Sequence, residues 1–284
     1  MADKNKEQNR IVRAISRRKF LYGSAAVGTL LLGDGFLRQP SALEITSTEL
    51  ATAKLPAGKE LRIAHLSDLH LHRFDNYFKK VAETTNRLRP DIILLTGDYI
   101  EEARNLDDVL LFLKQLKAPA GIFAVQGNWE YWALIEGEKL QRKLRNVGVR
   151  LLINERADIE WHSIGVSLLG IDFPSPAATV ERLDHSADSN RVNIALSHVP
   201  AFQHELLADK TDLVLCGHTH GGQVRIPGIK PLHLPRHSGP YVDGLYHIGE
   251  QKLPLYVSRG IGTSILPVRF CCPPEIGIIR LYGV

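Results

Sequence analysis

Five short apolar runs, each closed by side chains able to ligate a metal, constrain the fold of this 284-residue chain more than anything else in it. Residues 61–66 lead into Asp68-Leu69-His70, residues 91–96 into Gly97-Asp98, and residues 121–125 into Gly127-Asn128. Residues 192–196 lead into Ser197-His198, and residues 212–216 into Gly217-His218-Thr219-His220-Gly221-Gly222. Runs of this length read as buried strands. Carboxylate, imidazole and amide groups arriving at strand ends can converge on one edge of a sheet. Asp68 and His70 are two apart, as are His218 and His220, so on extended backbone each pair faces one way. Glycine before the polar residue lets the backbone turn sharply and approach an ion closely.

Helical patterns separate the runs. Residues 76–88 place Phe78, Val81, Ala82, Thr85 and Leu88 at helical spacing and stop before Pro90. Residues 105–116 and 134–147 follow, closed by Pro119 and Gly148. Alternation of this kind implies βαβ units and a largely parallel sheet. The second half is richer in strand, with candidates at 149–153, 158–162 and 166–171, then near 223–226, 253–258 and 276–282. Helices are expected after Ser175 and over 201–208. Residues 227–249, rich in Pro, Gly and His, read as a long functional loop. Two mixed sheets packed face to face with helices outside accommodate this α/β pattern. One domain is expected over 59–284, preceded by a leader over 1–45.

Charge separates those two parts. Residues 1–40 hold 8 Lys/Arg against 3 Asp/Glu, and the remainder holds 27 against 28. The body is near neutral, so a nucleic-acid partner, which needs a basic stripe on the domain, is not expected. Within the leader, Ser16-Arg17-Arg18-Lys19-Phe20-Leu21 is a twin-arginine signature followed by an apolar stretch over 21–32. The expectation is export through the twin-arginine translocation machinery to the periplasm or the outer face of the cytoplasmic membrane or cell wall, with membrane association. Ala51-Thr52-Ala53 and Pro40-Ser41-Ala42 are the two candidate cleavage signals. The three cysteines, Cys216, Cys271 and Cys272, make a poor disulfide framework and read as free thiols.

The ordered set Asp68-x-His70, Gly97-Asp98, Gly127-Asn128, His198 and Gly217-His218-x-His220 resembles the calcineurin-like metallophosphoesterase superfamily. The strings Cys216–Gln223 and Ser258-Arg259-Gly260-Ile261-Gly262, with Pro273-Pro274-Glu275 and the leader, resemble its bacterial YaeI/YkuE-type phosphodiesterase branch. The resemblance covers roughly residues 59 to 284. It implies a four-layer α/β/β/α sandwich. It implies one metal held by Asp68, His70, Asp98 and His220, and a second held by Asp98, Asn128, His198 and His218, with Asp98 as the bridge. It also implies that Asp98, Asn128 and His218 take part in catalysis. A hydroxide bridging two ions about 3.5–4 Å apart would attack phosphorus in line with the leaving oxygen. Mixed nitrogen and oxygen ligation without thiolate favours two divalent transition-metal ions, Mn, Fe, Zn, Co or Ni, over Mg alone. The expected activity is phosphodiester hydrolysis, with a phosphodiester or a lipid- or wall-linked phosphate as substrate.

One position departs from the family. After Gly127-Asn128 the family carries His and an acid, whereas this chain carries Trp129-Glu130. That histidine contacts phosphate and can protonate the leaving group; an indole offers one N–H and cannot act as an acid. Three expectations follow: restriction to good leaving groups, substitution by His72, His233 or His237, or a metal-binding protein with weakened or lost catalysis. Trp129 could equally be a pocket wall. His65 reads as packed, and His185 and His204 as surface residues. Tyr131 and Trp132 are candidates for the mouth of the site. His233, Arg236, His237 and Tyr241 are candidates for a substrate cap. Arg259 and Arg269 would meet phosphate or pair with acids.

Overall fold

Runs that are apolar on both faces must be buried between layers, and this chain uses them to build two six-stranded sheets. The computed structural model describes Tyr22, Thr29, residues 33–202 and residues 210–284. In chain order the strands are β1 (Glu44–Ala57), β2 (Glu60–Leu66), β3 (Ile92–Thr96), β4 (Ile122–Val125), β5 (Val149–Leu151) and β6 (Glu155–Trp161). They continue as β7 (Ile164–Ile171), β8 (Val192–Ser197), β9 (Leu213–Cys216), β10 (Gly244–Ile248), β11 (Leu253–Val257) and β12 (Glu275–Gly283). The helices are α1 (Asn76–Arg87), α2 (Leu106–Leu113), α3 (Asn128–Trp132), α4 (Gly137–Arg145) and α5 (Ala177–Ser186). One sheet has the order β1-β12-β2-β3-β4-β5, the other β10-β11-β9-β8-β7-β6. Strands β2 to β5 are parallel, as are β7, β8, β9 and β11.

The period-2 alternation of the strands sorts their side chains into three cores. Leu61, Ile63, Ile92, Leu94 and Phe123 point between the sheets and meet Val166, Leu168, Ile194, Leu196 and Leu215. Ala64, Leu66, Ile93 and Leu95 point the other way, onto Phe78 and Val81 of α1, Val109 and Phe112 of α2, and Leu140 and Leu144 of α4. On the far side Leu169, Ala195, Val214 and Cys216 pack against Val180 and Leu183 of α5. The result is the four-layer α/β/β/α sandwich. Helix α1 is fixed at its start by Asp75, whose carboxylate accepts from the amides of Tyr77 and Phe78 at 2.9 and 3.1 Å.

Several boundaries differ from the sequence reading. The expected helix over 134–147 is shorter, α4 over Gly137–Arg145, and the left-handed Leu134 separates it from the additional short helix α3. The expected strand over 223–226 is only an isolated bridge between Val224 and Phe270. Strand β1 lies before the residue-59 start expected for the domain and joins the first sheet in parallel with β12. Ala51-Thr52-Ala53, a candidate cleavage signal, falls inside that strand. The twin-arginine motif, His204 and most of the expected 201–208 helix lie outside the described residues. Among the described residues, no helix is long and apolar enough to cross a membrane.

Candidate metal centre

The carboxyl ends of β2, β3 and β4 face those of β8 and β9 across the interface between the sheets, and ligands collect at such an edge in α/β proteins. All seven residues singled out by the sequence arrive there and all are buried: Asp68, His70, Asp98, Asn128, His198, His218 and His220. Five of them, Asp68, His70, Asp98, His218 and His220, hold left-handed backbone with φ between 40° and 72°. Asp and His tolerate this region better than most side chains, yet each such residue costs about 1 kcal/mol or more. The strain is offset by the layers on either side. Close approach explains two glycines: a Cβ on Gly127 would meet Asp98 Oδ1 at 2.2 Å, and one on Gly217 would meet Ser67 Oγ at 1.8 Å.

Two triads form, Asp68–His70–His220 and Asp98–His198–His218, and in each the potential ligand atoms lie within 4.8 Å of one another. Asp98 Oδ2 belongs to both neighbourhoods, standing 3.6 Å from His70 Nε2 and 3.1 Å from His198 Nε2. Its other oxygen accepts the Trp129 amide at 3.0 Å. Asn128 Oδ1 is 3.1 Å from His198 Nε2. Asp68 accepts the His218 amide at 2.9 and 3.0 Å, and its Oδ1 lies 3.4 Å from His220 Nε2.

Hydrogen bonds on the far sides of the rings fix where the lone pairs point. His198 Nδ1 donates to the Thr96 carbonyl at 2.7 Å, and His218 Nε2 donates to the Arg236 carbonyl at 2.7 Å. Their remaining nitrogens face each other at 3.1 Å, two acceptors with no hydrogen between them in the neutral rings. His70 Nε2 and His220 Nε2 also face each other, at 3.0 Å, with Glu101 Oε1 standing 3.2 Å from His70 Nδ1 and His220 Nδ1 left without a hydrogen-bond partner among the described residues. Facing lone pairs backed by Asp68 and Asp98 suit a cation and little else. The donor set is nitrogen and oxygen only; Cys216 is buried in the third core.

The two carboxylates draw positive charge into the site, on His198 when no cation is bound. Burial works against charge on His198, but the Asp98 carboxylate outweighs it and raises the group to about 9. Asp98 is held at about 2, burial being overcome by His198 and His70. His218 is lowered to about 4 by burial and by the charge on His198. Glu130, fully buried and raised to about 7 by burial and Asp98, accepts the amides of Asp98, Tyr99 and Gly127 at 3.0, 2.6 and 2.7 Å. It thereby ties the loop after β3 to the start of α3.

A cavity of about 470 Å³ opens from the two triads, lined by Asp98, Asn128, His218 and His220 at its base. Trp129, Trp132, Phe173, His233, His237 and Ile265 form its walls. Trp129 is therefore a wall residue, its ring edge-on to His70 at 5.5 Å. Of the histidines considered as substitutes, His233 and His237 line the cavity, while His72 lies outside it, 3.3 Å from Glu101. Arg236 also lines it; Tyr241 instead packs on Tyr246 beside the third core. Tyr131 bonds Asp172 and Gln126. Arg259 pairs with Glu275 and Glu44, and buried Arg269 donates to the carbonyls of Arg259, Gly260, Gly262 and Cys272. His65 is packed, 2.8 Å from Thr96 Oγ1, and His185 is exposed. Sequence reasoning missed Glu101, an acid in a loop with no motif around it.

The sequence pattern of the calcineurin-like phosphoesterase family matches residues 61–222, more than half of the chain. The chain belongs to that family. This calcineurin-like phosphoesterase is 30% identical to the uncharacterized metallophosphoesterase YkuE of Bacillus subtilis (strain 168), covering 95% of this chain and 99% of YkuE. It is 30% identical to the phosphodiesterase YaeI of Escherichia coli (strain K12), covering 94% and 99% of the two chains. Among solved structures, the NAD nucleotidase NadN of Haemophilus influenzae shares the fold at 16% identity, with a TM-score of 0.51 over 72% of this chain and 45% of that one.

Proposed function

We propose that this calcineurin-like phosphoesterase is a phosphodiesterase working with two divalent cations. The observation that carries the reading is Asp98 Oδ2, one carboxylate oxygen reaching toward both His70 and His198. In this reading Asp68, His70, Asp98 and His220 hold one cation, and Asp98, Asn128, His198 and His218 the other. The nitrogen and oxygen donors suit Mn, Fe, Zn, Co or Ni. Bound there, the cations would make water acidic enough to act at neutral pH and would neutralise charge on the phosphoryl oxygens.

The protein's own groups do the remaining work. The Thr96 and Arg236 carbonyls hold the His198 and His218 rings in place, so a cation need only displace the proton that Asp98 holds on His198. The cavity of about 470 Å³ leaves room for a second ester substituent, which favours diesters. Trp129 cannot protonate a leaving group, so esters with good leaving groups should react best, with His233 and His237 the cavity histidines able to donate a proton. The twin-arginine motif supports work outside the cytoplasm on a membrane- or wall-linked phosphate.

The test is hydrolysis of bis(p-nitrophenyl) phosphate with added Mn, comparing the native protein with Asp98→Asn. Turnover lost by at least about a hundredfold in the variant, with fewer bound ions, is the expected result. Trp129 favours a second reading, a metal-binding protein with weakened or lost catalysis. Full metal content without turnover on any ester would establish that instead.

A further inference from the structure

The mouth of the cavity is ringed by apolar side chains that face water. Trp132 is 67% exposed, Leu232 74%, Ile265 81% and Leu266 58%. They come from three separate segments, and the one carrying Ile265 and Leu266 is held to Gln223. The Gln223 side chain donates to the carbonyls of Ser264 and Leu266 at 3.2 and 3.1 Å and accepts the Ser264 amide at 2.8 Å. Ile265 adopts φ 65°, a region that β-branched side chains avoid. Its amide faces Glu101 Oε1 at 3.3 Å. Single exposed leucines need no explanation, but a cluster around one cavity marks an interaction surface.

What covers that surface is indicated by a separate part of the chain. The Gly35 carbonyl accepts the Arg269 amide at 3.0 Å, and Gln39 Oε1 accepts the Cys271 amide at 2.6 Å. Residues 34–41 are thereby laid along the segment that continues from Leu266. Leu37 in it is 82% exposed. The apolar stretch 21–32 immediately precedes these residues in sequence. Exposed Lys230 and Arg236 supply positive charge beside the apolar rim, whereas Arg38 is paired with Asp34.

We propose that the rim of the cavity is a docking surface for an anionic lipid bilayer, so that the phosphate ester presented to the metal-binding residues is one carried by a membrane amphiphile. Leu232, Ile265 and Leu266 enter the interfacial layer, and the cations beside them meet headgroups. Docking itself needs no catalysis; only the identity of the substrate rests on the phosphodiesterase reading.

The test uses the full chain and vesicles of equal parts phosphatidylglycerol and phosphatidylcholine with bromine on the acyl chains. Bromine quenches an indole that enters the layer, and Trp132→Phe assigns the Trp132 share. Native protein should show quenching at Trp132. Leu232→Asp/Leu266→Asp should lower it to the Trp132→Phe level while leaving hydrolysis of soluble bis(p-nitrophenyl) phosphate within about twofold, both substitutions being at exposed positions outside the cavity lining. No quenching at Trp132 in vesicle-bound native protein, or equal quenching in the double variant, would overturn the proposal. So would a Trp132 emission shift that follows protein concentration without vesicles, which would assign the rim to a second copy. If no form hydrolyses any diester but the quenching pattern holds, the catalytic reading falls and the docking surface stands.

Discussion

Asp98 is shared between two groups of rings, and its neighbours are arranged to keep it there. Glu130 gathers the amides around it, and Glu101 stands behind His70. Partners of this kind orient ligands without touching the ion, and removing one costs about 10- to 100-fold in metal affinity. Glu101→Gln should therefore weaken Mn binding by about that factor while turnover at saturating Mn stays closer to native; an equal loss at saturation would place Glu101 in the reaction itself. Trp129→His tests the opposite change. It should raise turnover on a diester with a poor leaving group and do little for bis(p-nitrophenyl) phosphate. His65 gives a pH signature independent of the metals. Burial lowers it from 6.5 to about 3, so the folded protein keeps it neutral while the unfolded chain protonates below 6.5. Its contribution is present above pH 6.5 and is lost as pH falls toward 3, at up to about 1.4 kcal/mol per pH unit. Denaturation of His65→Phe across that window should show a shallower acid limb than native protein.

The elements that carry the site were legible where the chain repeats one construction, an apolar run closed by Gly or Ser and a ligand-type residue. That construction marked β2, β3, β4, β8 and β9, because each is buried on both faces and ends at the same edge. Strand β1 was not legible: it lies at an open edge, and its face offers little beyond Ile45, Leu50 and Leu55. Its place is set by β12, more than two hundred residues away. Glu101 was hidden for a similar reason, since only the folded loop brings it to His70. At helix α1 the spacing of apolar residues was legible, and the Asp75 cap came only with the structure. Asp75→Ala removes two hydrogen bonds to orphan amides and should lower stability by about 1 kcal/mol, measured by urea unfolding, without altering metal content.

Across the whole molecule the metal-binding edge is also where the two sheets meet, so ions should act as a clasp between layers. Filling the sites at a hundred times the dissociation constant adds about 2.7 kcal/mol per site. Treatment with a chelator should lower the thermal midpoint, and Mn should restore it in a concentration-dependent way. An unchanged midpoint would mean that the protein layers alone set the geometry. The order of the first sheet carries a consequence of its own. Strand β12 sits between β1 and β2, antiparallel to β2, so early and late parts of the chain are neighbours in space. A ribosome must release residues 275–283 before β1 has a strand partner, and a nascent chain lacking them would leave residues 44–57 outside the sheet. Completion of the first layer is thus postponed until β12 has left the ribosome.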